Sequence, residues 1–164
     1  MSSSQKKILT LSSLSRVLQK LRRQGTKIAF TNGCFDILHF GHVSYLQEAA
    51  KGKNRVLVVA INSDESVRMI KGKGRPIVPQ KERAALIAAL TCVDYVTIFN
   101  ESTPLLTIEA LRPDVLIKGA DWKGKDVAGA AFVKSYGGRV EFVRYLNGFS
   151  TTKMIESIRE KCLA

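Results

Sequence analysis

The chain has only two histidines, His39 and His42, and they sit three residues apart astride Gly41. They close the string Thr31-Asn32-Gly33-Cys34-Phe35-Asp36-Ile37-Leu38-His39-Phe40-Gly41-His42. Lys27 to Thr31 ahead of it reads as a strand and His42 to Lys51 as a helix, so the pair falls at a strand-to-helix junction. Residues three apart on a helical turn lie on the same side. The glycine removes a side chain that would block close approach of a ligand to the backbone, and the free amides of a helix start attract anions. Two imidazoles and those amides make a cradle for a polyphosphate. Zinc is the competing reading, but no cysteine pair or third histidine completes a ligand set. A pair of ordinary polar histidines would leave the rest of the string unexplained.

Three further clusters carry matching chemistry. Ser150, Thr151 and Thr152 open a helix, where Ser and Thr are favoured as caps. Three hydroxyls in a row exceed what one cap requires, so capping and phosphate binding are both expected. Lys71-Gly72-Lys73-Gly74-Arg75-Pro76 is a glycine-rich basic loop, a form that suits a mobile arm closing over bound phosphate. Lys118 to Trp122 ends a strand, where Asp121 could accept hydrogen bonds from ribose hydroxyls. Trp122, the single tryptophan, reads equally as a base-stacking surface or as core packing. Asp36 either orients its loop by accepting backbone amides or contacts a substrate phosphate or a lysine near it, and the second is favoured. Arg83 reads as pairing with a surface carboxylate, and Cys34 as a small buried residue. No serine or cysteine is paired with a base, which argues against a covalent intermediate.

Positioning these clusters takes a regular scaffold. Helices are predicted at Ser13 to Gln24, His42 to Lys51, Gln80 to Leu90, Pro104 to Leu111, Val127 to Tyr136 and Thr151 to Lys161. Strands are predicted at Lys27 to Thr31, Arg55 to Ile61, Val93 to Phe99, Asp114 to Ile117 and Arg139 to Tyr145. The alternation implies an α/β fold, a Rossmann-like doubly wound five-stranded parallel sheet with helices on both faces. Ligands of such sheets bind beyond the carboxyl ends of the strands, where the strand order reverses. Four of the five loops there carry the unusual residues.

At 164 residues, 45% hydrophobic and 24% charged, the chain reads as one domain, 1–164, with residues 1–10 as a polar N-terminal tail. It shows no secretory signal and no apolar run long enough for a bilayer. Three scattered cysteines suit a reducing cytosol. A formal charge of +12 fits a site for polyanions. The cations are spread along the chain with no aromatic stripe, which makes a nucleic-acid-binding module the less favoured reading.

The string ending in His39-Phe40-Gly41-His42 resembles the mark of the cytidylyltransferase-like nucleotidyltransferase superfamily. The resemblance continues through Asn62-Ser63-Asp64, Lys71-Gly72, Arg75-Pro76, Lys118-Gly119-Ala120-Asp121-Trp122 and Gly148-Phe149-Ser150-Thr151-Thr152. Together these look like the bacterial adenylyltransferases that act on D-glycero-β-D-manno-heptose 1-phosphate in lipopolysaccharide core synthesis. The resemblance implies transfer of AMP from ATP, with Mg²⁺ bridging phosphate oxygens, by one direct in-line displacement that releases pyrophosphate. It implies catalytic roles for His39, His42 and Lys71. Nucleotide contacts would come from Thr31, Asn32, Gly33, Phe35, Gly41, Lys118, Gly119, Asp121, Ser150, Thr151 and Thr152. Contacts to the sugar phosphate would come from Asp36, Arg75 and Trp122, with no metal held by the protein alone. It further implies a cytoplasmic homodimer that binds neither nucleic acid nor membrane. Relatives are often fused to a heptose kinase, for which this length leaves no room, so a stand-alone form is expected. Asn147 departs from the acidic residue frequent there. A cytidylyltransferase acting on glycerol 3-phosphate or a similar polyol or amino-alcohol phosphate is the alternative.

Overall fold

The computed structural model describes residues 4–144 and 148–162. Its order is α1 (Leu11–Arg23), β1 (Lys27–Gly33), α2 (Phe40–Ala50), β2 (Arg55–Asn62), α3 (Asp64–Lys71), α4 (Gln80–Ala89), β3 (Tyr95–Phe99), α5 (Leu105–Leu111), β4 (Val115–Gly119), α6 (Ala130–Ser135), β5 (Arg139–Val143) and α7 (Thr151–Cys162). The five strands form one sheet in the order β3-β2-β1-β4-β5, and every pairing is parallel. The order reverses between β1 and β4, so the crevice lies beyond Gly33 and Gly119.

Alternation along the strands builds two cores. Ala29, Leu57, Val59, Ile61, Val115 and Ile117 pack with α2 and α4 on one face. Ile28, Phe30, Val58, Ala60 and Leu116 pack with α1, α5 and α6 on the other. Each fully buried Leu, Ile or Phe stabilises by about 1.5–3 kcal/mol relative to exposure. A one-residue slip would exchange the two sets of side chains, so the pattern pins the register.

Three boundaries differ from the sequence reading in ways that matter to the site. β1 runs on to Gly33, which carries Asn32 to the crevice edge. Asp64–Lys71 is a helix, capped by Ser63 accepting from the Ser66 amide, where the sequence reading placed no element and assigned Lys71 to a loop. Lys71 is therefore the last residue of α3, ahead of the glycine-rich loop. Residues 4–10 are docked along the β3 edge: Ile8 bridges Val96, and the Lys7 ammonium donates to the carbonyls of Leu90 and Val93. Asn147 and Tyr145 lie outside the described residues. Among the described residues no helix is long and apolar enough to cross a membrane.

Candidate active site

At the end of β1 the chain turns sharply through Phe35, whose φ is 46°. A side chain on Gly33 would meet the Phe35 ring at 3.0–3.4 Å, so the glycine lets that ring fold back over the strand end. Phe35 then meets His42 edge-on, with ring centroids 5.1 Å apart. His39 is the N-cap of α2, and its Nδ1 accepts from the His42 amide at 3.3 Å. That bond places the proton of the neutral ring on Nε2. The two imidazoles stack at 3.7 Å between centroids. Burial, and then the neighbouring His39, push the His42 ring down to about 4. Burial also lowers His39. In the free protein at neutral pH the pair is therefore uncharged and offers N–H donors.

The loop between α3 and α4 is tied to this turn. Asp36, 1% exposed, accepts the amides of Ile77 and Val78 at 2.8 and 2.9 Å and the Arg75 guanidinium. Both oxygens are engaged by the protein, so the carboxylate positions the loop, the reading less favoured from the sequence, and Asp36 also lines the smaller of the two cavities described below. Arg83 is wholly buried. It donates to the carbonyls of Cys34 (2.6 Å) and Val78 (2.9 Å) and to Asp64 (2.7 Å), joining the β1 turn, the loop and the start of α3. The expected carboxylate partner is present, but the arginine is in the interior.

On the other side of the crevice, Lys118 donates to Asn32 Oδ1 at 2.6 Å. Burial pushes its ammonium down to about 8, with nearby Asp121 opposing, so it stays charged at neutral pH. Trp122 is 40% exposed and belongs to neither core, which removes the packing alternative. Lys118 and Lys125 lie 5.3 and 5.9 Å from its ring centroid. Thr31, expected among the nucleotide contacts, is fully buried and shares a 2.7 Å hydrogen bond with the Tyr45 hydroxyl. Strand alternation turns it under the site, where it supports α2.

The start of α7 comes back to the histidines. Phe149 stacks on His39 at 6.2 Å and meets Phe40 edge-on at 5.7 Å. A Cβ on Gly41 would lie 2.8 Å from the Phe149 Cβ and 3.1 Å from His39 Nδ1. The glycine is thus required by the close approach of Phe149 and His39, a reason the sequence reading did not supply. Ser150 Oγ accepts from the Lys153 amide at 3.1 Å, the expected cap.

Two adjoining cavities result. The smaller, about 280 Å³, is lined by His39, His42, Lys71, Arg75 and the run Ser150, Thr151 and Thr152. The larger, about 460 Å³, carries Asn32, Gly33, Lys118, Gly119, Asp121 and Trp122. Cys34, Phe35, His42 and Lys71 line both. The sequence reading gave no contact role to Asn62, quoted only within Asn62-Ser63-Asp64, and missed the Ser102-Thr103-Pro104 loop, which together form the far wall of the larger cavity. Its signal was available, since Asn62 is a polar residue ending an apolar strand and Ser102 and Thr103 lie in the loop after β3.

The family model that matches the chain, Cytidylyltransferase-like, covers residues 30–157. Bifunctional protein HldE of Geobacter metallireducens is 52% identical over 96% of this chain and 32% of its own length. Bifunctional protein HldE of Koribacter versatilis is 53% identical over 93% of this chain and 31% of its own length. The chain spans about a third of the length of these curated relatives. A lipopolysaccharide core biosynthesis protein from Thermoplasma volcanium superposes with a TM-score of 0.58 at 32% identity, over 74% of this chain and 96% of that one. Pantoate-beta-alanine ligase from Francisella tularensis gives 0.59 at 18% identity over 96% of this chain and 79% of its own, a likeness of fold alone. Because the matched span runs from β1 into α7, it takes in the histidine pair, the Lys118 segment and the hydroxyl run alike, and the chain belongs to the cytidylyltransferase-like family of nucleotidyltransferases.

Proposed function

We propose that the chain transfers AMP from ATP to D-glycero-β-D-manno-heptose 1-phosphate, releasing pyrophosphate and forming ADP-heptose. The observation that carries this reading is the pair of cavities meeting at His42 and Lys71. A triphosphate lying along the smaller cavity puts its outer phosphates at Ser150, Thr151 and Thr152 and its α-phosphate at the junction. The larger cavity then takes the nucleoside and the sugar phosphate, with Lys118, Gly119 and Asp121 toward the ribose. Trp122 in the larger cavity, and Asp36 and Arg75 where the smaller one adjoins it, are the proposed contacts to the sugar phosphate.

An oxygen of the sugar phosphate attacks the α-phosphorus, and the bond from that phosphorus to the bridging oxygen breaks as pyrophosphate leaves. The phosphate nucleophile is already anionic and needs no general base. Alignment and charge stabilisation are what the protein contributes. His39 and His42 donate N–H groups to phosphate oxygens, and the approaching anion draws their lowered pKa values upward. Lys71, at the end of α3, supplies a positive charge at the junction. Among the described residues no cluster of three or more His, Cys, Asp or Glu could hold a metal. Mg²⁺ would be carried on the nucleotide phosphates, and Asp121 is a cavity carboxylate that could help hold it. The ion would neutralise phosphate charge there. A cytoplasmic homodimer belongs to the same proposal, and sedimentation at enzyme concentrations tests the dimer.

Pyrophosphate release, measured with ATP, CTP, GTP and UTP against sugar and polyol phosphates, tests the assignment. ATP with heptose 1-phosphate should give the highest kcat/KM. A clear preference for CTP would contradict the heptose assignment and leave the family intact.

A further inference from the structure

Asn62 ends β2 at the far wall of the larger cavity and is 3% exposed. Its carboxamide is oriented by a short chain of hydrogen bonds. Ser66 Oγ donates its one proton to the Glu101 carbonyl at 2.6 Å, so toward Asn62 it can only accept. Asn62 Nδ2 fills that place at 2.9 Å. Oδ1 must then point the other way, where the partner it meets is the Cys34 thiol at 3.8 Å. A thiol is a weak donor, and a carboxamide oxygen has two lone pairs. The wall therefore presents a fixed, under-satisfied acceptor, and a buried acceptor left so is costly until a donor reaches it.

The acceptor selects what can sit there. Phosphate oxygens are acceptors themselves and are repelled, so this is not a phosphate subsite. An ammonium is disfavoured, because the cations Lys71, Arg83 and Arg75 outweigh Asp36 in acting on the adjoining Cys34. Arg83 also holds the Cys34 carbonyl directly. A neutral hydroxyl is the group that fits, and Ser102 and Thr103 on the same wall add further hydroxyls.

We propose that Asn62, held by Ser66, reads a hydroxyl of the phosphorylated substrate that attacks the nucleotide, and so selects polyhydroxylated phosphates over amino-alcohol phosphates. The inference rests on the nucleotidyl transfer to a sugar phosphate proposed above.

The test is a kinetic split in pyrophosphate release with Mg²⁺-ATP and heptose 1-phosphate, for the wild type, Asn62→Ala and Ser66→Ala. Asn62→Ala should raise KM for heptose 1-phosphate about tenfold while KM for ATP stays within about twofold. Ser66→Ala, which frees the carboxamide to turn over, should raise the same KM by a smaller factor, and it serves if Asn62→Ala does not fold. Variants of unchanged melting temperature in which both KM values stay put, or rise together, overturn the inference. If the wild type ignores heptose 1-phosphate but uses another hydroxylated phosphate, the heptose reading fails, and the same split on that compound decides for or against Asn62. Preference for phosphoethanolamine, or turnover of no phosphate tried, overturns both.

Discussion

Alanine at His42 should lower kcat by about a hundredfold or more, with a smaller change in KM for ATP, because loss of one preorganised donor to a developing charge has that scale. His42 lines both cavities, where the proposed reaction would have bonds made and broken. Thr151→Ala and Thr152→Ala, which line only the smaller cavity, should show the opposite balance: weaker ATP binding and a lesser loss of turnover. The same histidine gives a stability signature. Its folded pKa of about 4 lies below the 6.5 of an ordinary histidine, so the unfolded chain takes up the proton first as pH falls. This contribution is present above about pH 6.5 and is lost as pH falls toward 4. Denaturant midpoints between those values should fall less steeply for His42→Ala than for the wild type. A folded variant with near-normal turnover would make the histidine pair a structural feature only.

Replacing Arg83 by Leu should destabilise the protein by about 3 kcal/mol, the low end for breaking a buried ion pair, because the Asp64 side chain is 27% exposed and water can reach it. For a chain of this size that is a fall in melting temperature of about 6–12 °C. The cost arises at three places at once: two carbonyls, Cys34 and Val78, and one carboxylate lose their donor. Arg83→Lys keeps the charge without the three-way fork, and calorimetry should place it between the two. A loss below about 1 kcal/mol for Arg83→Leu would show that water replaces the guanidinium freely.

Much of the scaffold was legible because strands buried on both faces read as nearly continuous apolar runs, as Arg55–Asn62 does. The adjacency of β1 and β4, and with it the meeting of the α2 and α7 starts, followed from the doubly wound alternation. α3 was not legible. It begins two residues after β2, runs for only 8 residues and leaves Met69 and Ile70 exposed, so its apolar face is too short to stand out. Its signs were the cap at Ser63 and the acids Asp64 and Glu65 in the first turn. The histidine pair and the hydroxyl run stood out locally, since both sit in unusual strings. The second layer did not, because its meaning lies in contacts distant in sequence. Asp36 reaches residues 75–78, Gly41 answers to Phe149, and Arg83 spans Cys34 to Asp64. One residue type in isolation carries no sign of such a partner.

Whether one triphosphate bridges the two helix starts is tested most directly by a crystal structure with Mg²⁺ and a non-hydrolysable ATP analogue. The α-phosphate should lie within about 3 Å of a ring nitrogen of His42, and the outer phosphates should accept hydrogen bonds from Ser150, Thr151 or Thr152. A nucleotide bound with its phosphates away from residues 150–152 would contradict the account and leave that run as the cap of α7.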